Sequence, residues 1–147
     1  MGFFSSNKYS GSVESLLEKG TKYLTGDGVP EDDGEAFRYF EAAAKTGNGE
    51  GLARLGEMYQ YGYGVEPSYR KAVELYTKSS KVGCGLGEFR LGWLYSHNEL
   101  AIDPDGYQLP RDMDAAKTLY LRAAKHGYRD RLGCIQYLLH TGEMPPM

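Results

Sequence analysis

At 147 residues the chain is one modest domain, long enough to bury a core. Its 41% hydrophobic and 25% charged content is ordinary for a soluble protein, and a net charge of −3 offers a polyanion nothing, which sets nucleic acid aside as a partner. No apolar run has the length of a membrane span, so the unusual features left to explain are 20 Gly and 13 Tyr.

Residues 1–11, MGFFSSNKYSG, are expected to form a disordered start. Phe3 and Phe4 are too short an apolar core for a secretory signal, although Gly2 and Ser6 fit the myristoylation pattern M-G-x-x-x-[ST] weakly. Cys84 and Cys134 make neither a CxxC nor a disulfide framework and read as small buried hydrophobes of a reducing compartment. The expected location is cytoplasmic, and a monomer is favoured.

The first unit, residues 12–47, opens with Ser12 or Ser15 as N-cap and a helix to about Leu24. Leu16, Gly20 and Tyr23 share one face of it. A Gly26-Asp27-Gly28-Val29-Pro30 break follows, Asp32 or Asp33 caps a second helix, and Gly47 ends it. Ala36, Phe40, Ala43 and Ala44 form the packing stripe of that helix.

The second unit, 48–83, repeats this almost position by position, with Gly62-Tyr63-Gly64-Val65 as the loop and Ser68 as the cap. Unit three, 84–127, starts alike, but its loop is longer: Ala72 and Ala116 lie 44 apart instead of 36, so eight residues have been added between the helices. A last helix, 128–142, has Gln136 where the others have glycine, and Met144-Pro145-Pro146-Met147 brings no second helix. It is expected to be a C-terminal cap, with 143–147 as a tail.

The period is the main signal. Gly20, Gly56 and Gly92 are 36 apart, as are Tyr23, Tyr59 and Tyr95, and spacing of this size marks a stacked repeat array. A mid-helix glycine costs up to about 1 kcal/mol against alanine, so three in register call for a compensating close approach between helices. Gly28 and Gly64 instead supply the sharp reversal between antiparallel helices.

The pattern A-x-x-L-G-x-x-Y-x-x-G-x-G-V, then K-A and a Y-x-x-A-A-x-x-G ending, resembles the Sel-one-like repeat, a cousin of the tetratricopeptide repeat. Leu55, Gly56, Tyr59, Gly62, Gly64, Val65, Lys71, Ala72, Tyr76 and Gly83 carry it in unit two. Ala36 and Ala116 hold the place of Ala72 in units one and three. The resemblance covers about 12–142 as a single repeat domain. It implies an all-α, right-handed α-solenoid of antiparallel helix pairs, here seven helices in about three and a half repeats, whose first helices line a concave surface. It also implies a protein-binding adaptor.

No nucleophile, base and orienting group stand together, which argues against an enzyme. Asp103-Pro104-Asp105-Gly106 lacks the ligands of a calcium loop, and His97 with His140 and Cys134 falls short of a zinc site. No cofactor is expected. One position after each helix glycine stand Thr21, Glu57 and Trp93, with Tyr137 in the last unit. Four residues earlier stand Leu17, Ala53, Phe89 and Gly133. In this repeat geometry the two columns face the groove, which makes Phe89, Trp93, Tyr137, Glu57, Gln60 and His97, with the 97–110 loop, the candidate protein-binding set. The alternative for Trp93 is a core position under that loop. The expected function is a non-catalytic interaction module, adaptor or inhibitor. A cytosolic immunity protein that neutralises a bacterial toxin is the alternative, and a weak hydrolase or metal-dependent enzyme stands further back.

Overall fold

The structure is a computed structural model and describes residues 7–97, 99 and 101–128. Six α-helices are present among them: α1 Val13–Thr25, α2 Asp33–Lys45, α3 Gly49–Tyr61, α4 Tyr69–Lys81, α5 Gly85–Ser96 and α6 Met113–Lys125. The seventh helix expected over 128–142 lies, Tyr128 apart, outside the described residues.

Each helix except α5 is started by a short polar side chain. Ser12, Asp32, Asn48, Ser68 and Asp112 accept a hydrogen bond from the backbone N–H three residues ahead, satisfying a donor that the first turn leaves open. Ser12 and Asp32 are thus the caps that the sequence had left between two candidates each. α1 and α3 stop at Gly26 and Gly62, both left-handed (φ 72° and 71°), whose N–H groups return to the carbonyls of Lys22 and Met58.

The chain then reverses, and the start of α2 meets the end of α1 through the Asp32 N–H to Tyr23 carbonyl bond of 2.9 Å. The same bond recurs from Ser68 to Tyr59 and from Asp112 to Tyr95. The result is three antiparallel pairs stacked side by side: an all-α solenoid, α2 against α3 and α4 against α5.

Packing explains the first set of glycines. A Cβ on Gly20 would stand 2.6 Å from the ring of Phe40, and one on Gly56 2.6 Å from that of Tyr76. The equivalent ring in unit three, Tyr120, lies over Gly92. Each helix glycine is therefore a seat for the large aromatic of its own partner helix, while Ala36, Ala72 and Ala116 are fully buried beside it. The tyrosines differ in where they point: Tyr23 stacks on Tyr39 within unit one, whereas Tyr59 meets Phe37 of the preceding unit edge-on at 5.5 Å. Tyr95 is packed against the clusters on both sides of α5.

A second glycine set holds the units to each other. Gly51 lies against the backbone of Ala43 and Ala44 in α2, and Gly87 against Ser79 in α4. Ser79 in turn donates to the Gly49 carbonyl at 2.7 Å, so the small residue at this seam also ties α3 to α4.

The enlarged loop of unit three has a specific destination. In unit two, Gly64 lets the loop touch the backbone of Asp33 at the start of α2, in the unit before. Unit three has no such glycine, and the added residues reach instead to the start of α4. There the buried Asp103 carboxylate accepts from the N–H groups of Tyr69 at 2.6 Å and Arg70 at 3.0 Å. An anion at this place satisfies orphan donors and meets the positive end of the helix dipole. Residues 102–108 close a short turn around it, with Asp103 N–H to Tyr107 carbonyl at 2.9 Å and Gly106 N–H to Asp103 carbonyl at 2.8 Å. Arg70 covers the Tyr107 ring at 4.3 Å. Ala101 and Leu109 anchor the two ends in the core. Asp103→Ala is expected to lower stability by about 1–2 kcal/mol, on the scale of a lost helix cap, with Asp103→Asn between it and the parent. Urea unfolding of the three proteins measures this, and equal midpoints would remove Asp103 from the account.

A frayed start is not what residues 7–11 show. Tyr9 lies against Tyr39 of α2, with ring centroids 5.0 Å apart, and its hydroxyl donates to Glu35 at 2.6 Å. Residues 1–6 and the tail lie outside the described residues.

Candidate interaction face on the first helices

The helical repeat sets one face of α3, with Glu50, Arg54, Glu57 and Tyr61, beside the equivalent positions of α5, Leu86, Arg90, Trp93 and His97. Between the helices lies Glu57. It is 7% exposed, its carboxylate held by Arg54 at 3.0 Å from its own helix and by Arg90 at 2.6 Å from the next. Burial of that carboxylate is tolerable because both oxygens are met by guanidinium donors. Arg90 extends the ladder toward the hydroxyl of Tyr61 at 3.4 Å. Tyr61 and Tyr63 are 46% and 39% exposed, their rings 5.6 Å apart. At the other end, Arg54 and Arg90 line a cleft of about 490 Å³ with Glu50, Cys84, Leu86, Gly127 and Tyr128.

The sequence-derived set falls on this face unevenly. Trp93 is half-buried against a cluster that includes Ala101 and Leu109 of the enlarged loop, so it is partly wall and partly surface. His97 stacks on it, with ring centroids 4.3 Å apart, and its Nδ1 lies 3.0 Å from the Trp93 carbonyl and 2.8 Å from Ser96 Oγ. Phe89 turns toward α6, stacked on Tyr128 at 5.1 Å and tilted against Tyr120 at 5.5 Å.

Two members need correction as surface residues. Gln60 is 5% exposed, and its amide oxygen accepts from the Tyr76 hydroxyl at 2.6 Å. Burial pushes that hydroxyl well above the usual tyrosine range, so it stays a donor. Glu57 is likewise interior and serves as the strut between two arginines rather than as a contact. Tyr137, His140 and Cys134 lie outside the described residues. Cys84, expected to be buried, is half-buried at the rim of the cleft.

Tyr61, Tyr63, Arg54 and Arg90 were missed, although Tyr61 stands 36 before His97 and the arginines stand 36 apart. The signal was present in the register. Among the described residues no group of three or more His, Cys, Asp and Glu side chains is placed to hold a metal ion. The two aspartates of the 103–106 turn are engaged by α4, Asp103 with its N–H groups and Asp105 with Arg70 at 3.5 Å. No described helix is long and apolar enough to cross a membrane.

The Sel1 repeat profile matches residues 20–48, 49–84 and 86–128, most of the chain. The chain belongs to the Sel1 repeat family. Its fold is similar to that of a Sel1 repeat protein from Oxalobacter formigenes, with a TM-score of 0.75 and 25% identity over 96% of this chain and 54% of the other. It is also similar to c5321, a protective antigen with this fold from uropathogenic Escherichia coli strains, with a TM-score of 0.70, 24% identity and coverage of 88% and 26%. The Sel1 chain described here thus spans about half the length of the first and about a quarter of the second. Among curated protein sequences, none matches it significantly. Sel1 repeats are in general protein–protein interaction modules, typically non-catalytic scaffolds.

Proposed function

We propose that the chain is a cytoplasmic, non-catalytic adaptor or inhibitor that holds a protein partner on the shared face of α3 and α5. The observation that carries this reading is the Arg54–Glu57–Arg90 ladder flanked by exposed Tyr61 and Tyr63 and half-buried Trp93. Ion pairs inside the face fix both arginines without consuming the aromatic rings beside them. Pre-ordered side chains lose little entropy on binding, and tyrosine, tryptophan and arginine are the residues that dominate interface energies. Neutralising a toxin by direct binding would be one form of such inhibition.

Tyr61→Ala and Trp93→Ala are each expected to weaken partner binding by about 2 kcal/mol, roughly thirtyfold. The helical circular dichroism signal should stay unchanged. The measurement is calorimetric titration of a co-purified partner with the parent and each variant. Unchanged affinity in both variants would place the binding surface elsewhere on the solenoid.

A further inference from the structure

The turns between units lie at the edge of the solenoid opposite the loops within units, and the two edges differ in charge. α2, α4 and α6 each end on a lysine: Lys45, Lys81 and Lys125, all exposed and at one repeat position, 36 and 44 residues apart. The turns that follow these helices lie against one another. Gly49 meets Val82 and Cys84, Gly83 faces His126, and Gly85 meets Tyr128. The three lysines therefore stand in a row along one continuous ridge, and Lys78 is exposed one turn before Lys81. None of these four ammonium groups has an ion-pair partner among the described residues. Glu50, the exposed carboxylate of the ridge, faces Arg54 at 3.6 Å.

Helix dipoles account for only part of this. The dipole of any helix favours a cation in its last turn. Yet α3 and α5, which end at the opposite edge, have no basic residue there, and α1 has only Lys22, already paired with Glu18. By contrast, α4 has Lys78 and Lys81, and α6 has Arg122 and Lys125, of which Arg122 is engaged by Glu88. The opposite edge exposes Asp27, Glu31, Asp32, Glu66, Asp105 and Asp112, while its Arg70 and Lys71 are held by Asp105 and by the Tyr59 ring. A net charge of −3 thus conceals a chain that is basic along one edge and acidic along the other.

We propose that the ridge of Lys45, Lys78, Lys81 and Lys125 is a second interaction surface, distinct from the α3–α5 face, and that its occupant is an acidic segment of a protein partner lying along the turns. Charge complementarity selects an anion. Val82, next to Lys81 and 60% exposed, selects a peptide among anions, because it offers an apolar contact that a phosphate backbone would leave in water. A bilayer surface would ask for an apolar face to insert, and Val82 is the only large exposed hydrophobic on this edge among the described residues.

The test is fluorescence anisotropy at low salt with a labelled peptide of glutamate and leucine, about twelve residues and so roughly 40 Å when extended. The parent is compared with a ridge variant, Lys45→Gln, Lys81→Gln and Lys125→Gln together. A control variant, Lys19→Gln, Lys22→Gln and Arg111→Gln, loses the same charge from exposed positions off the ridge. The parent should bind saturably and lose the peptide as salt is added. The ridge variant should bind about tenfold more weakly, and the control within about twofold of the parent, all three keeping the helical circular dichroism signal. Trp93→Ala should bind as the parent does. A folded parent without saturable binding overturns the proposal, as does an equal loss in the ridge and control variants. A loss in Trp93→Ala as large as that of the ridge variant overturns it too, by returning the peptide to the α3–α5 face. Duplex DNA or vesicles of anionic lipid, bound as tightly as the peptide and with the same dependence on the three lysines, would overturn the choice of occupant.

Discussion

Gly51→Val is expected to destabilise the protein by about 3 kcal/mol, the upper end of the usual cost of overpacking. A side chain at this position would meet the Ala43 carbonyl carbon at 2.7 Å and the Ala44 nitrogen at 2.9 Å. Those atoms belong to the backbone of α2 and cannot rotate away, so the two units would have to separate. Gly56→Val meets a different obstacle, the ring edge of Tyr76. That ring is fully buried and tied to Gln60, yet it is a side chain with some freedom, and a smaller loss of about 1–3 kcal/mol is expected. Chemical denaturation of both variants gives the order. If Gly56→Val proved the more damaging, the tighter seam would be the one within the unit, not the one between units.

That comparison also shows what the sequence could and could not disclose. The 36-residue period of Gly20, Gly56 and Gly92 gave away a repeat array, and mid-helix glycine without a local reason implied close packing. What the glycines pack against was not readable, since Phe40 and Tyr76 are 20 residues downstream on another helix. Gly51 and Gly87 recur at the same period but stand near helix starts, where glycine costs little and so raises no question.

The length of the unit-three insertion was legible from the change of spacing to 44. Its destination was not, because Asp103 bonds to residues 33 and 34 positions earlier in a different unit. For the face, the column of Thr21, Glu57 and Trp93 put Glu57 on the groove, and what it could not disclose is that the stacking of α5 on α3 brings Arg90 onto that carboxylate and buries it. Tyr9 was lost for a similar reason. Nothing local in MGFFSSNKYSG marks a strap; its partner is Glu35 on α2.

Glu88 is a buried position where unit three departs from the repeat, and the consequence is measurable. Unit two has Leu52 at the equivalent position, and both side chains are buried. The Glu88 carboxylate, with no exposed surface, lies 3.0 Å from Arg122 Nε and 2.5 Å from His126 Nδ1 at the end of α6, both of them about half exposed. This exposure makes the two ways of breaking the cluster unequal. Arg122→Ala with His126→Ala strands a buried carboxylate, which is expected to cost about 3–5 kcal/mol. Glu88→Leu leaves the Arg122 and His126 side chains within reach of water and restores the apolar residue of unit two in a similar volume. It is expected to stay within about 1 kcal/mol of the parent. Thermal and urea unfolding of the three proteins tests the asymmetry. A Glu88→Leu variant as unstable as the double alanine variant would mean that the cluster is a net stabiliser of the α5–α6 pair. The predicted asymmetry instead makes Glu88 a residue kept despite the core, one that fixes how α6 lies against α5 and therefore where Tyr128 and the rim of the Arg90 cleft stand.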